Sequence, residues 1–267
     1  MTPEDLQFFK CWFADFCASY SMPDESDQMN IRLKEVHTVR VCENILALAR
    51  DLSEGAEQCL LAEAIALFHD VGRFPQYARF RTFQDSLSVN HGLLGAEILA
   101  EQNVLGRLDA DERRIVAEAV KFHNAFSLPK KSDADTLFFI KLIRDADKLD
   151  IWRVFIEYYE SPKESRASAV GLGLPDLPGY SAPVVDTIIN GEIVPLSLVK
   201  TLDDLKLMQL SWIYDLNYRP SFKMLLERDY IGRITARLPR TDDIGGISSR
   251  LEAFSRERSS GTVGIPR

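Results

Sequence analysis

Polar and apolar positions recur with helical period along most of the chain. Thr2 is followed by Pro3, Glu4 and Asp5: a capping residue, a proline suited to the first helical position, and acids for the first turn. Phe9, Trp12, Phe16 and Tyr20 then fall at helical spacing and predict a first helix packed into a core. Val41, Ile45, Leu48 and Leu52 mark the buried face of a second helix from about Leu33 to Leu52, and one turn before Val41 stands His37. Leu60 to Phe68 is apolar on nearly every side, which predicts an enclosed helix. His69-Asp70-Val71 follows, with Gly72 placed to stop it. Residues 73–89 break the period and read as a loop. From His91 the pattern resumes, with Leu94 and Ile98 on one face. Glu112, Val116 and Ala119 align with His123 on the next helix. Ile140, Ile143, Asp147 and Ile151 align on a long one from about Thr136 to Tyr159.

Beyond Glu160 the pattern changes. Ser161 to Pro183 is rich in Ser, Gly and Pro and reads as a long loop. Its Gly171-Leu-Gly173 lacks the preceding strand and third glycine of a nucleotide-binding turn. Asn190-Gly191 fits either a hairpin turn between Val184–Ile189 and Glu192–Val194 or the end of a short helix. Helices are predicted near 202–217 and 221–238. The expected organisation is therefore an all-α domain over 1–160 and a loop over 161–183. A helical extension over 184–240 is expected to pack on the same domain, followed by a polar tail over 241–267 whose end is disordered. Trp212, Tyr214, Tyr218 and Tyr230 in the extension fit core packing first, and a lid or a homodimer contact otherwise.

Composition narrows the picture. Of 267 residues, 46% are apolar and 27% charged, enough to bury a substantial core. The formal charge of −8 argues against a nucleic-acid binder, which needs basic surface to neutralise phosphates. It leaves room for a small phosphorylated substrate held by local cations. No apolar run approaches bilayer-spanning length, and the acidic start lacks the basic residues of a signal peptide. Cys11, Cys17, Cys42 and Cys59 form no CxxC pair and read as reduced core residues, so a cytoplasmic protein without membrane association is expected.

Every histidine of the chain falls where its helical neighbours are apolar, and so does Asp147. Titratable groups left unpaired in an apolar interior cost about 1–3 kcal/mol each, and more when ionised. A divalent cation removes that cost by accepting lone pairs from neutral imidazoles and carboxylates together. Mixed His and Asp donors suit Fe, Mn, Co, Ni or Zn. Adjacent helical residues point about 100° apart, so His69 and Asp70 converge on one ion only near a helix end, or else the carboxylate reaches between two ions. Spacing alone leaves Asp145 and Asp147 both open as a further ligand, because Leu142, Asp145, Leu149 and Trp152 also form a stripe.

The order His37…His69-Asp70…Asp147, with Phe-His-Asp-Val-Gly-Arg and Arg-Asp-Ala-Asp-Lys-Leu-Asp around it, resembles the signature of the HD superfamily, mostly metal-dependent phosphohydrolases. The resemblance covers roughly residues 30–155 and implies an HD-domain-like helical bundle. His91 and His123, lying between the HD pair and the last aspartate, make the chain similar to the dinuclear subset. In that subset the last ligand belongs to an Ala-Asp step, which here is Asp147. The resemblance implies one metal on His37, His69, Asp70 and Asp147, and a second on His91, His123 and a shared Asp70. Such ions lie roughly 3.5–4 Å apart and share a hydroxide that attacks phosphorus in line. Asp145 and Asp150 are then expected to hydrogen-bond ligands or cap the helix.

The implied catalytic set is Asp70 with two cations, Arg73 and Lys148. Arg73 stands where related phosphodiesterases carry a phosphate-contacting Lys or Arg, and Lys148 directly follows the last ligand. Arg79, Arg81, Lys130 and Lys131 fit solvated surface equally well, while Tyr77 and Phe83 are candidates to stack on a base. His123 is not followed by the Gly-Tyr-Pro of cyclic-dinucleotide phosphodiesterases, and the Glu-Asp motif of alarmone hydrolases is missing, Glu118 and Asp111 standing alone. The expected activity is hydrolysis of a nucleotide or other small phosphoester. A di-iron oxygenase built on the same four histidines and two aspartates is the first alternative, and a non-catalytic signalling module the second.

Overall fold

The structure is a computed structural model that describes residues 1–52, 55–162, 166–167 and 169–261. Among the described residues all regular structure is helical, and no helix is long and apolar enough to cross a membrane. The chain forms two compact units, residues 1–150 with 167–170, and residues 151–166 with 171–267. The boundary falls inside one long helix, ten residues before the point at which the composition changes.

The first unit opens with α1 (Pro3–Ala18), capped as its sequence predicts: the Thr2 hydroxyl accepts from the Asp5 amide while the Asp5 carboxylate accepts from the Thr2 amide. Next, α2 (Glu25–Asp51) starts a full two turns earlier than its apolar stripe, because the Asp24 side chain caps it at the Asp27 amide. Helix α3 (Ala56–Phe68) is the enclosed element, fully buried from Ala64 through Ala66 and at Phe68, and it packs against α1, α2 and α6. Its Phe68 ring lies 5.2 Å from Phe9 and 5.7 Å from Trp12, so the aromatic stripe of α1 does pack into the core. Residues 73–89 are not simply loop. Arg73–Phe80 forms α4, since Pro75 sits at its third position, where an amide has no intrahelical acceptor to lose. Arg81 then ends α4 in the left-handed region at φ 54°. Helices α5 (His91–Glu101), α6 (Ala110–Phe122) and α7 (Ala134–Glu160) follow, α5 capped by Asn90, α6 by Asp109 and α7 by Asp133.

Gly72 does not stop α3 in the expected way. Its backbone is ordinary right-handed helical (φ −65°, ψ −20°), so no left-handed cap is made. The glycine is required by close approach instead: a Cβ there would lie 2.1 Å from the His91 carbonyl oxygen and 2.9 Å from the Gly95 nitrogen. The turn carrying His69 and Asp70 is thereby seated directly on the first turn of α5.

In the second unit, Ala182–Ile189 forms α8, which settles Asn190-Gly191 as a helix end, with Gly191 at φ 77°. Helix α9 (Leu202–Ser211) is extended by a 3₁₀ turn over Trp212–Asp215. The helix predicted over 221–238 is two, α10 (Arg219–Glu227) and α11 (Tyr230–Thr235), separated at Asp229, whose φ is 50°. Residues expected to be a polar tail form α12 (Asp242–Ser260), capped by Thr241 and buried along Ile244, Ile247, Leu251 and Ser255. Residues 262–267 lie outside the described ones. Trp152, on the second half of α7, is fully buried and donates from its indole to the Gln209 carbonyl at 2.9 Å, and its ring lies 6.1 Å from buried Tyr230. No disulfide joins the cysteines, and Cys11 departs from expectation in lying on the solvent face of α1.

Candidate metal centre

Four histidines and two aspartates meet inside the first unit. His37 comes from the middle of α2, His69 and Asp70 from the turn after α3, His91 from the first position of α5, His123 from the end of α6, and Asp147 from the interior of α7. The four histidines and Asp70 are at most 3% exposed. Three overlapping groups of these side chains bring ligand atoms close enough to hold an ion: His37, His69 and Asp70; His69, His123 and Asp147; and Asp70, His91 and His123.

Asp70 organises the cluster. Its Oδ2 lies 3.6 Å from both His37 Nε2 and His69 Nε2, and Asp147 Oδ1 completes that side at 3.0 and 3.7 Å from the same nitrogens. Its Oδ1 lies 3.4 Å from His91 Nε2 and 3.7 Å from His123 Nε2. One carboxylate thus turns one oxygen to each histidine pair. Of the two aspartates that spacing left open, Asp147 reaches the cluster. Asp150 accepts from His37 Nδ1 at 2.7 Å, the supporting role expected of it, and Asp145 is buried nearby on α7.

The tautomers follow from the partners. His69 Nδ1 donates to the Ala66 carbonyl and His123 Nδ1 to the Val120 carbonyl, each at 2.7 Å, and a carbonyl can only accept. His91 Nδ1 donates to the Asp85 carboxylate at 2.8 Å. Every Nδ1 hydrogen is committed outward, so every Nε2 lone pair faces inward. His37 and His69 Nε2 are then 3.3 Å apart, and His91 and His123 Nε2 3.0 Å apart. Lone pairs brought this close beside two carboxylates repel unless a cation lies between them, and this donor set fits a divalent transition metal on each side.

The electrostatics agree. Burial and the Arg73 charge lower the pKa of His91 to about 3, and burial lowers that of His69 to about 4, so both rings are neutral donors. Burial and Lys34 also oppose charge on His37, but hydrogen bonds to Asp147 and Asp150 prevail and raise its pKa. Burial disfavours ionised Asp70, yet Lys34, His69 and Arg73 hold its carboxyl well below the usual range. Asp147 and Asp85 are likewise depressed against the cost of burial, Asp147 by hydrogen bonding to His37 and Asp85 by hydrogen bonding to His91.

The expected cations divide. Arg73 reaches the cluster, its Nε 3.5 Å from Asp70 Oδ1, while its Nη1 is held at 2.9 Å by Gln76 Oε1 and at 3.0 Å by Asp85 Oδ1. Lys148 is half-buried and directs its ammonium toward the Arg144 carbonyl at 3.5 Å, back along α7. Tyr77 is no stacking platform, because it is buried with its hydroxyl between Asp27 and Asn30. Arg81 pairs with Asp27 at 3.3 Å. Two residues escaped the sequence reading: Asp85, which gathers His91, Arg73, Gln76 and Asn124, and Lys34, whose Nζ lies 2.8 Å from Asp70 Oδ2. Lys34 had a usable signal, since it stands three residues before His37 and therefore on the same face of α2. Asp85 had none, because its segment follows no period.

Residues 35–152 match the profile of the HD domain family, a span that includes all six candidate ligands. This stretch, a little under half of the chain, is an HD domain, and HD domains are of metal-dependent phosphohydrolase type and bind divalent metals. Searches of curated proteins and of solved structures find no match.

Proposed function

We propose that this protein is a phosphohydrolase that uses two divalent transition-metal ions to cleave a nucleotide or another small phosphoester. The observation that carries the reading is the division of Asp70 between two histidine pairs, one oxygen to each. His37, His69, Asp70 and Asp147 would hold the first ion, and His91, His123 and Asp70 the second. When bound, such a pair supplies Lewis acidity for phosphoryl oxygens and acidifies water near neutral pH. Asp150 and Asp85 keep His37 and His91 in the donor tautomer, so no proton need leave Nδ1 on loading. Arg73, fixed by Asp85 and Gln76, presents a cation beside Asp70 for a phosphoryl oxygen, and its locked guanidinium loses little freedom on binding. Lys148, next to Asp147, is a further cation assigned to substrate in this reading.

The test is elemental mass spectrometry on protein purified without chelator, followed by phosphate release from a panel of phosphoesters in manganese. Near two ions per chain are expected, falling toward one in His91→Ala and His123→Ala, with turnover abolished in Asp70→Ala. One ion unaffected by the two histidine variants would reduce the site to a single metal. Oxygen consumption by an iron-loaded form that releases no phosphate would replace the hydrolase reading with an oxygenase.

A further inference from the structure

Among the described residues, Lys34 is a cation at the centre that neither the family match, which begins at residue 35, nor the sequence pattern assigned. Its ammonium lies 2.8 Å from Asp70 Oδ2, on the side of His37, His69 and Asp147, whereas Arg73 approaches Asp70 Oδ1 on the side of His91 and His123. Both cations neighbour the Phe83 ring, with Lys34 Nζ 5.2 Å and Arg73 Cζ 5.8 Å from its centroid, within cation–π reach. The two differ in how they are held. Arg73 Nη1 is engaged by Gln76, the Phe83 carbonyl and Asp85, while among the described residues the polar partner of Lys34 is Asp70 Oδ2 alone. An ammonium carries three donors, so two remain for something else. The side chain is 14% exposed, against 3% for Asp70, which sets it toward the outer edge of the cluster.

We infer that Lys34 is a substrate-binding residue that grips a phosphoryl oxygen over the His37–His69–Asp147 half, opposite Arg73 on the other half. The inference rests on the phosphohydrolase reading and deepens it. Once Asp70 shares its charge with ions, its hold on Lys34 weakens, and the spare donors are free for an anion. The carboxylates of Asp70 and Asp147 cancel only part of the charge of two dications, so the loaded centre with Lys34 and Arg73 favours a multiply charged phosphoryl group. A lysine suits this place because its flexible stem follows the oxygen, whereas the rigid fork of Arg73 fixes orientation.

The experiment is isothermal titration of inorganic phosphate into manganese-loaded protein, with metal content measured on the same samples. Lys34→Met is expected to retain its metal and to bind phosphate about 10-fold to 100-fold more weakly, the loss of one charge-assisted hydrogen bond. Lys34→Arg, which restores charge and donors, should recover most of the affinity. Unchanged phosphate affinity in metal-replete Lys34→Met would overturn the inference and leave the phosphohydrolase reading standing. Loss of metal in Lys34→Met, with normal phosphate affinity in the chains that remain loaded, would make Lys34 a mere support of Asp70 and overturn it equally. Wild-type protein that loads metal but binds no phosphate would overturn both.

Discussion

Replacing Gly72 by alanine tests whether the two halves of the centre are built separately. An added Cβ would sit 2.1 Å from the His91 carbonyl oxygen and 3.0 Å from its carbonyl carbon, both backbone atoms that no rotamer change can move. Ordinary contact begins near 3.4 Å, so the first turn of α5 must retreat by roughly 1.3 Å from the HD turn. Metal–ligand distances tolerate only about 0.2 Å, so a retreat of that size takes His91 out of any ligand shell it shares with Asp70. His37, His69 and Asp147 are untouched by the change. Overpacking of this kind costs about 1–3 kcal/mol, which for a chain of this size lowers Tm by roughly 2–12 °C. The expected result is a folded Gly72→Ala protein that has lost about one ion per chain, as read by elemental mass spectrometry alongside a thermal melt. Gly95→Ala is the control. Its Cβ would meet the Val120 and Val71 side-chain methyls at 3.2 Å, which can yield by a few tenths of an ångström, and the Gly72 nitrogen at an ordinary 3.4 Å, so its metal content should stay near two. A Gly72→Ala protein with wild-type Tm and both ions would refute the claim that close approach, rather than chain reversal, fixes this glycine.

Two further outcomes follow from the hydrogen bonds that orient the histidines. Asp85→Asn should weaken the second ion about 10-fold to 100-fold and Asp150→Asn the first by a similar factor, in metal titrations of chelator-stripped protein; equal effects of each variant on both ions would sink the assignment. Acid should destabilise the metal-free chain. His69 and His91 titrate at about 4 and about 3 when folded, against ~6.5 unfolded, so their contribution is intact above pH 6.5 and is lost as pH falls toward 4. Each removes about 1.4 kcal/mol per pH unit in that window. His37, with its raised pKa, is protonated in both states there and does not alter the slope. A urea midpoint that stays constant between pH 6.5 and 4.5 in chelated protein would contradict the inward-facing neutral rings.

Much of this was legible in the sequence because burial and chemistry shared one period. His37 lies one turn before Val41, and Asp147 one turn after Ile143, so the apolar stripes that predict the helices also aim the ligands inward. Where the fold departs from the reading, a local rule was applied at the wrong position. Pro75 looks like a breaker but occupies the first turn of α4, where a proline costs no hydrogen bond. In α12 the stripe of Ile244, Ile247, Leu251 and Ser255 is thin beside its polar neighbours, and a count of polar residues hides it, although Thr241-Asp242-Asp243 announces a helix start. The break between α10 and α11 depends on a left-handed Asp229, which no period records. Asp85 and Lys34 are set by tertiary packing around Asp70, and only the second left a trace in spacing.

The way each histidine is anchored explains why these four positions serve and others would not. His69 and His123 sit just past the ends of α3 and α6, where the last carbonyls have no amide partner, and each ring satisfies one of these three residues back. Closing the helix and fixing the tautomer are there a single interaction. His37 lies in mid-helix, where the carbonyl three residues behind belongs to the helix, and His91 opens α5 with no turn behind it. Neither can borrow a helix-end carbonyl, and both are held by carboxylates instead, Asp150 and Asp85. Each side of Asp70 therefore pairs one carboxylate-anchored ring with one carbonyl-anchored ring, the former the more basic donor. The centre is thus two similar half-sites joined through one carboxylate. They differ in that Asp147 Oδ1 lies 3.0 Å from His37 Nε2 and 3.7 Å from His69 Nε2 but comes within 4.8 Å of a single ring of the second half, His123, which predicts the tighter hold on the ion beside His37.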